Sequence, residues 1–367
     1  MLGILDEVAI PARPDDPSIR FRHYRGPEDL PGMAQANQAM RDADGILGTT
    51  SADEMAVQYA NLTNSDLDRD LVILERTDVG EAHGGEGDES PADGRSPIAG
   101  YTRVEWRDLT DGRRAFGAVI IMAPDVRTPE VARALVAWSE ARNVDNARTV
   151  PSADARATLL QTYTLGPDPT LPDALRAAGW RERGRGYEML CERLDDVPSP
   201  PLPTGLEWHP MVDDEPTRRA IFDCMADAFR DHRDEPEASD EDWHMFRVDP
   251  KYDPELWVVA SDGDELVGGA IGLIDAELIE HHGVRRGYVD GVFTRRAWRR
   301  RGLARAAVAE VLVRFRERGM TSAFLEVDGL NPNQAMTLYE SLGFTIVTSS
   351  ADWAKPLPDA HEKDPRT

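Results

Sequence analysis

The order of apolar and polar positions along the chain predicts one series of strands and helices that occurs twice. Alternation with a period of two predicts strands, and apolar residues three or four positions apart predict helices. In the first half, the pattern predicts strands at 19–24, 71–74, 98–106, 114–122 and 157–164 and helices at 28–43, 52–59, 128–142 and 171–178. In the second half, it predicts strands at 206–209, 256–260, 265–274, 287–294, 323–327 and from 344, and helices at 215–229, 303–318 and 332–342. The repeated order indicates a duplicated α/β domain.

A proline-rich stretch separates the two series. Residues 194–204 contain four prolines and few apolar side chains, a composition typical of a linker. We therefore predict one domain at 18–193 and a second at 205–355. Residues 1–17 contain prolines that block regular structure, so we predict an N-terminal arm there. Residues 356–367 form a C-terminal tail in this division.

Composition narrows the possible functions. The chain has 367 residues, 41% of them hydrophobic, which is enough for two cores. Its formal net charge is −25, so we expect no nucleic-acid partner and no anionic membrane partner. Nine arginines between Arg295 and Arg318 form a local positive region in this acidic chain. The glycine-rich segment 79–97 and the acidic segment 231–242 are predicted to be irregular.

Cysteine and apolar-segment usage predict the cellular setting. Cys191 and Cys224 are the only cysteines, so neither a disulfide framework nor a cysteine zinc site is expected. The histidines have no metal-ligand spacing, and we predict no metal. No segment reaches the ~20 apolar residues of a membrane helix, and residues 1–14 do not resemble a signal peptide. We therefore expect a cytoplasmic protein.

The sequence Arg299-Arg300-Arg301-Gly302-Leu303-Ala304 is a candidate anion site. It stands between the predicted strand at 287–294 and the predicted helix that begins at Leu303. The N-terminus of a helix offers unpaired N–H groups and a positive dipole end. Gly302 lets the main chain approach a phosphate, and the arginines can donate to its oxygens. Solvated surface arginines are the alternative for this segment taken alone.

The last predicted helix has its own end signals. Asn331 can cap it, Pro332 suits its first position, and Gly343 suits its end. Ala335, Leu338 and Leu342 share one face, and Tyr339 lies beside that face.

With these motifs in view, the second half resembles the GCN5-related N-acetyltransferase (GNAT) family over about residues 205–355. Arg299, Gly302 and Ala304 match the phosphate loop of the family, and Leu338-Tyr339 with Leu342-Gly343-Phe344 matches its downstream motif. The resemblance implies two tandem GNAT-like α/β domains, each a mixed, mostly antiparallel twisted sheet flanked by helices. It also implies acetyl-CoA as cosubstrate.

The resemblance assigns most of the acetyl-CoA site. In such enzymes the strand before the loop pairs with the pantetheine amides, and a main-chain N–H near Val292 is the natural oxyanion donor. The loop N–H groups would hold the pyrophosphate, while Asn331 either hydrogen-bonds to CoA or only caps its helix. The implied cofactor-binding residues are Val292, Phe293, Thr294, Arg299, Arg300, Arg301, Gly302, Leu303, Ala304, Arg305 and Asn331.

Direct acetyl transfer needs a neutral amine, a polarised carbonyl and a proton for the departing thiolate. Tyr339 occupies the position of the tyrosine acid of the family, and core packing is the alternative role of its ring. Glu326 resembles the base glutamate of the ribosomal-protein acetyltransferases, although the spacing to Tyr339 differs by one residue. Asp290, on the neighbouring strand, is the competing base, and a surface role is the alternative for Glu326.

The first half lacks the corresponding residues. Aligning the halves places Arg127 opposite Arg299, Glu130 opposite Gly302 and Leu175 opposite Tyr339. A carboxylate at the phosphate seat repels pyrophosphate. We therefore predict a degenerate first domain that keeps the fold, shapes or covers the acceptor cleft, and does not bind acetyl-CoA. This layout resembles that of the two-domain mycothiol synthases.

The predicted function is acetyl-CoA-dependent N-acetylation of a primary amine of a small molecule or peptide. The acidic surface favours cationic acceptors by electrostatic steering. The alternative is a non-catalytic acyl-CoA sensor or interaction module, which would need neither Glu326 nor Tyr339. The sequence leaves the acceptor and the oligomeric state open.

Overall fold

The computed structural model describes residues 8–77, 97–150, 157–230, 232, 234–249, 251–329 and 335–357. The predicted loop at 79–97, apart from its last residue, and Asn331 lie outside these ranges. The chain divides into two compact units, one of residues 1–183 and 351–367 and one of residues 184–350.

The first unit contains five successive strands. Neighbouring strands from β1 to β4 are antiparallel, and β5 joins β4 in parallel. The strands are β1 (Ile19–His23), β2 (Leu71–Arg76), β3 (Ile98–Asp108), β4 (Arg114–Met122) and β5 (Thr158–Leu165). The helices are α1 (Leu30–Asp44), α2 (Ala52–Ala60), α3 (Leu67–Asp70), α4 (Pro129–Thr149) and α5 (Thr170–Ala177), with 3-10 turns at Pro27–Asp29 and Pro124–Val126.

The second unit repeats this order. Strands β7 to β10 are antiparallel neighbours, β11 joins β10 in parallel, and β6 pairs with β11. The strands are β6 (Arg181–Cys191), β7 (Glu207–Trp208), β8 (Val258–Asp262), β9 (Glu265–Ile274), β10 (Arg286–Thr294) and β11 (Ser322–Asp328), and the last strand, β12 (Thr345–Pro356), is divided between the two units. The helices are α6 (Glu215–Phe229), α7 (Asp240–Val248), α8 (Ala276–His282), α9 (Leu303–Glu317) and α10 (Ala335–Glu340), with 3-10 turns at Pro254–Leu256 and Arg296–Trp298.

Helix α9 is fixed against the sheet of the second unit by its apolar face. Leu303, Val308, Val311, Leu312 and Phe315 are all buried in the core. Each such side chain contributes about 1.5–3 kcal/mol on burial. The Phe315 ring lies so close to β10 that a Cβ on residue 287, a glycine, would be 2.4 Å from it. This close packing holds the last turns of α9 against the start of β10.

Four elements differ from the predictions, and one of them is the short helix α3, which was not predicted. The prediction of an irregular segment at 231–242 is wrong at its end. Ser239 is the N-cap of α7 and forms a capping box with Asp242. Helix α8 was not predicted either. Strand β6 was missed because Arg181, Glu182 and Arg183 hide its pattern, but it pairs with β11 over residues 186–191. This pairing brings residues from 184 onward into the second unit, before the proline-rich 194–204 stretch.

The two cysteines are both free and buried. Cys224 lies in α6, where its thiol donates to the Leu266 carbonyl oxygen at 3.4 Å. Burial raises the pKa of both thiols. Among the described residues, no helix is long and apolar enough to cross a lipid bilayer.

Candidate active site

The two parallel strands of the second unit separate partway along their length. Residues 286–289 of β10 pair with residues 322–325 of β11, and the pairing ends there. The next residues are Asp290 and Glu326, and the ladder between β10 and β9 is irregular directly after Val289. Beyond this point the β10 main chain has an open edge, which can hydrogen-bond to an extended ligand that carries amide groups.

The loop between β10 and α9 contains two residues in the left-handed conformation. Arg300 has a φ of 64° and Gly302 has a φ of 92°. Gly302 is the N-cap of α9 and contributes no side-chain cap. The Ala306 N–H donates to the Gly302 carbonyl oxygen and so begins the helical ladder. The N–H groups before Ala306 therefore form the positive end of α9, which is a suitable seat for an anion.

The strand end, the loop and helix α10 enclose one cavity of about 170 Å³. It is lined by Ala228, Phe229, His232, Val292, Phe293, Thr294, Trp298, Arg299, Arg300, Gly302, Leu303, Ala304, Arg305, Ala335, Leu338 and Tyr339. Nine of the predicted cofactor-binding residues and Tyr339 are therefore brought together. Arg301 is not among them, and its guanidinium donates to the Ala297 carbonyl oxygen at 3.0 Å instead.

The lining of this cavity fits a polar, anionic ligand. Among the described residues, Thr294 Oγ1 and Arg305 Nε are buried and have no hydrogen-bond partner. Buried polar atoms are rarely left unpaired, so a ligand group is expected to satisfy them. Outside residues 301–303, no described atom lies within 4 Å of the place where a Cβ on Gly302 would stand. The described residues contain no group of three or more potential metal ligands.

Arg299 has a bracing role that the sequence did not predict. Its Nε donates to the Thr294 carbonyl oxygen at 3.0 Å, and its Nη2 donates to the Ala228 carbonyl oxygen at 2.7 Å. These two bonds tie the loop to the end of β10 and to helix α6. Arg299 therefore shapes the anion seat in addition to lining it.

Tyr339 is a buried phenol that lines the cavity. Its ring meets Phe344 edge-on at a centroid distance of 6.1 Å. Burial raises the pKa of Tyr339 well above its usual range. The hydroxyl therefore stays protonated at neutral pH and can donate a proton. Core packing and a functional hydroxyl are both compatible with this position.

Asp290 accepts a hydrogen bond from one phenol and lies near a second. The Tyr252 hydroxyl donates to Asp290 Oδ2 at 2.9 Å. The Tyr288 phenol, two residues before Asp290 on β10, lies close enough to lower the pKa of this carboxyl. Burial raises the pKa of Asp290 above its usual range, and the two phenols partly oppose this shift.

Glu326 occupies a different environment on β11. Its neighbours Leu325 and Val327 are buried, while the Glu326 side chain is exposed. It faces Glu188 of β6 in the strand register. Neither Asp290 nor Glu326 lines the cavity itself, and both lie at the point where the two strands separate.

Contributions from α6 were not predicted from the sequence. Ala228, Phe229 and His232, at or just after the end of α6, line the cavity opposite the loop. Tyr252 was also missed, because its contact with Asp290 joins residues 38 positions apart. Local patterns carry no signal for either contact.

The corresponding strands of the first unit stay paired one residue further. Residues 114–117 of β4 pair with 158–161 of β5, as 286–289 pair with 322–325 in the second unit. Here the register continues to Ala118 and Thr162. The Thr162 hydroxyl donates to the Ala118 carbonyl oxygen at 2.8 Å. This bond lies at the position where the strands of the second unit open.

Arg127 donates to main-chain carbonyl oxygens as Arg299 does, and it also pairs with a carboxylate. Its Nε donates to the Met122 carbonyl oxygen at 3.2 Å, and its Nη2 donates to the Met40 carbonyl oxygen at 3.4 Å. Its guanidinium also forms two bonds with the Asp44 carboxylate, at 2.8 and 2.9 Å. A carboxylate of the chain itself therefore pairs with this arginine. The cavity around these residues has a volume of only about 30 Å³.

The helix ends of the first unit also differ from those of the second unit, where α9 has no side-chain cap. Thr128 caps α4 by accepting from the Val131 N–H, and Pro129 removes another donor. At the end of α5, the Trp180 N–H donates to the Leu175 carbonyl oxygen, just as the Phe344 N–H donates to that of Tyr339. Leu175 therefore stands where the second unit has its buried phenol.

Comparisons with known proteins agree with this geometry. The model of the "Acetyltransferase (GNAT) family" matches residues 219–344. A mycothiol acetyltransferase from Nocardiopsis dassonvillei is 32% identical over 233 residues, which cover 56% of this chain and 68% of that protein. Another from Geodermatophilus obscurus is 26% identical over 295 residues, which cover 77% of this chain and 88% of that protein.

Solved structures share the fold. A GCN5-related N-acetyltransferase from Sphaerobacter thermophilus matches with a TM-score of 0.67 and 24% identity, over 94% of this chain and 97% of that one. A tandem GNAT protein from the clavulanic acid biosynthesis pathway matches with a TM-score of 0.62 and 13% identity, over 94% and 100% of the two chains. At these identities the similarity concerns the fold alone, and it confirms the predicted tandem α/β architecture.

Proposed function

Because the chain belongs to the GCN5-related N-acetyltransferase family and is therefore an N-acetyltransferase, we propose that it transfers acetyl from acetyl-CoA directly to a primary amine. The acceptor is a small molecule or a peptide. The observation that carries the proposal is the cavity of the second unit, where an open strand edge, an uncapped helix N-terminus and Tyr339 meet.

Different residues of this cavity bind different parts of the cosubstrate. The open edge of β10 at Val292, Phe293 and Thr294 receives the pantetheine amides, and a main-chain N–H near Val292 stabilises the oxyanion. The N–H groups from Arg300 to Arg305 receive the pyrophosphate. The unpaired Thr294 Oγ1 and Arg305 Nε support a polar ligand at this place.

Two side chains move protons in the proposed reaction. Asp290 removes a proton from the acceptor ammonium, and the neutral amine then forms a bond to the acetyl carbon. As the carbon–sulfur bond breaks, the Tyr339 hydroxyl protonates the departing thiolate. The second proton, which leaves the nitrogen as the amide forms, restores the Tyr339 phenol, and Asp290 passes its own proton to solvent. The pKa of Tyr339 is raised by burial, so the phenol carries its proton at neutral pH.

We choose Asp290 over Glu326 as the general base. A general base works best when its pKa lies near the working pH, and burial raises the pKa of Asp290 in that direction. The exposed Glu326 has no comparable burial. Its position at the same strand separation suits a second role, attraction of a cationic acceptor.

In this proposal the first unit is degenerate. The continued strand pairing at Thr162, the Arg127–Asp44 pair and the Thr128 cap all occupy positions that the second unit leaves open. The first unit would then shape the acceptor site, without an acetyl-CoA of its own. A cytoplasmic setting is also part of the proposal, since both cysteines are free thiols.

The test combines binding with turnover. Acetyl-CoA is titrated into the full chain by calorimetry, and thiol release is followed with a panel of amines that includes mycothiol-related amines, as the name of the relatives suggests. We expect tight binding and release with at least one amine, and neither with Gly302→Glu, whose side chain would enter the phosphate seat. Binding without release on any amine would favour the acyl-CoA sensor.

A further inference from the structure

We propose that Tyr252 is a positioning residue for the general base, which holds one oxygen of Asp290 and leaves the other free to receive the acceptor proton. This inference rests on the proposed function. Its basis is the bond from the Tyr252 hydroxyl to Asp290 Oδ2, at 2.9 Å, beside the place where β10 and β11 separate.

The Tyr252 ring is fixed from two sides. Its centroid is 5.0 Å from that of Phe246 and 5.8 Å from that of Trp257, to which it stands edge-on at 82°. Phe246 and Trp257 are both buried. The phenol therefore has little freedom to turn away from Asp290, and its direction does not depend on a bound substrate.

The main chain around Tyr252 is held as well. The Tyr252 N–H donates to the Asp249 carbonyl oxygen at 3.1 Å, and the Lys251 N–H donates to Asp249 Oδ1 at 2.8 Å. The Lys251 ammonium pairs with Asp275 at 2.9 Å. These bonds anchor the segment that follows α7, so that the phenol is presented to β10 from a fixed support.

Asp290 needs such support because it lies at an irregularity of its strand. The ladder with β9 shifts between Val289 and Gly291, so strand pairing alone does not fix the direction of the carboxylate. Tyr288, stacked on Phe324 of β11 at 4.6 Å, supplies the second phenol. The bond from Tyr252 is therefore what fixes the direction of the Asp290 carboxylate.

The groups around Asp290 determine in which direction its pKa should change when the Tyr252 hydroxyl is removed. Tyr252 and Tyr288 stabilise the ionised carboxylate, while Asp249 opposes its charge. Glu326 lies close enough to act on Tyr288, and Lys251 is engaged by Asp275. Removing the Tyr252 hydroxyl therefore raises the pKa of Asp290 further and frees its rotation.

The test compares Tyr252→Phe with Tyr187→Phe, a half-buried tyrosine on β6, the strand that pairs with β11 and is not a neighbour of β10. With Tyr252→Phe, we expect the acidic limb of the pH profile of kcat/KM to move up by roughly one pH unit. Turnover should fall, and the affinity for acetyl-CoA should be unchanged. Tyr187→Phe should leave all three quantities unchanged.

A second measurement does not depend on turnover. The carboxyl carbon of Asp290 is titrated by NMR in the full chain and is assigned with Asp290→Asn. A higher pKa of this carboxyl in Tyr252→Phe supports the positioning role even if no amine is acetylated, in which case only the enzymatic proposal fails. An unchanged carboxyl titration together with an unchanged pH profile would overturn the role of Tyr252.

Discussion

At the scale of single residues, the loop between β10 and α9 has a glycine and an arginine in the same left-handed conformation. Gly302 adopts a positive φ without strain, whereas Arg300, at 64°, brings a Cβ into the left-handed region. A non-glycine residue in this region costs about 1 kcal/mol or more. Such strain is retained at functional sites, which is consistent with a role of the Arg300 main chain or side chain in anion binding.

Replacing Arg300 with glycine should separate stability from binding. We expect the free energy of unfolding to rise by up to about 1 kcal/mol as the strain is relieved. The affinity for acetyl-CoA should fall, since a cationic donor is lost. Denaturant unfolding and calorimetry measure the two effects. Arg301→Gly, at a position without a positive φ, is the matched control and should not stabilise the chain.

Tyr339→Phe should lower kcat by about 100-fold or more, because a proton donor in the transition state is lost. The phenylalanine ring keeps the packing against Phe344, so the dissociation constant of acetyl-CoA should not change. Steady-state kinetics and calorimetry on the same preparation measure both values. Equal turnover in the two proteins would remove the acid role from Tyr339.

Asp290→Asn should stabilise the chain at neutral pH, although it removes the proposed general base. The pKa of Asp290 is raised in the folded state, so folding favours its protonated form. The stability that this provides is present below the unfolded pKa and is lost as pH rises through the folded pKa. Thermal unfolding across this range should show that the melting temperature decreases less with rising pH in the asparagine variant than in the unchanged chain. A steeper decrease would contradict the assignment.

At the scale of elements, the sequence predicted most of the fold because the periodic apolar patterns are strong. Strand β4 and helix α6 have the predicted bounds, at Arg114–Met122 and Glu215–Phe229. Strand β6 was missed because its first residues are charged, and its place depends on pairing with β11. The loop and Tyr339 were predicted as site residues from a local motif, and the structure places both at one cavity. The bracing by Arg299 and the Tyr252 bond to Asp290 depend on long-range contacts that no local pattern encodes.

The clamp between α1 and the start of α4 allows a test of the first unit. Arg127 and Asp44 form a buried pair, with side-chain exposures of 9% and 6%. Arg127→Ala should destabilise the chain by about 3–5 kcal/mol, because Asp44 is left buried without this partner. The affinity for acetyl-CoA should be unaffected.

The matched control lies in the first turns of α4, shortly after Arg127. Arg133 pairs with Glu130 at the surface, with exposures of 50% and 55%. Arg133→Ala should therefore change stability by less than about 1 kcal/mol. Equal effects of the two substitutions, measured by denaturant unfolding, would show that the Arg127 clamp does not hold the first unit together.

At the scale of the whole molecule, two copies of one fold have different expected ligand sites. The second unit has a cavity of about 170 Å³ at the helix N-terminus, and the equivalent cavity of the first unit has about 30 Å³. Calorimetry on the full chain should therefore give one equivalent of acetyl-CoA per chain. Two equivalents of equal affinity would contradict the degenerate state of the first unit.

The burial of both cysteines has a consequence for the proposed release of CoA. Cys191 and Cys224 are the only sulfhydryl groups of the chain, and burial raises the pKa of each, so little thiolate is exposed to exchange. Free CoA should then accumulate without forming mixed disulfides with the protein. A thiol-reactive dye added to the native chain should accordingly count product molecules over a near-zero background.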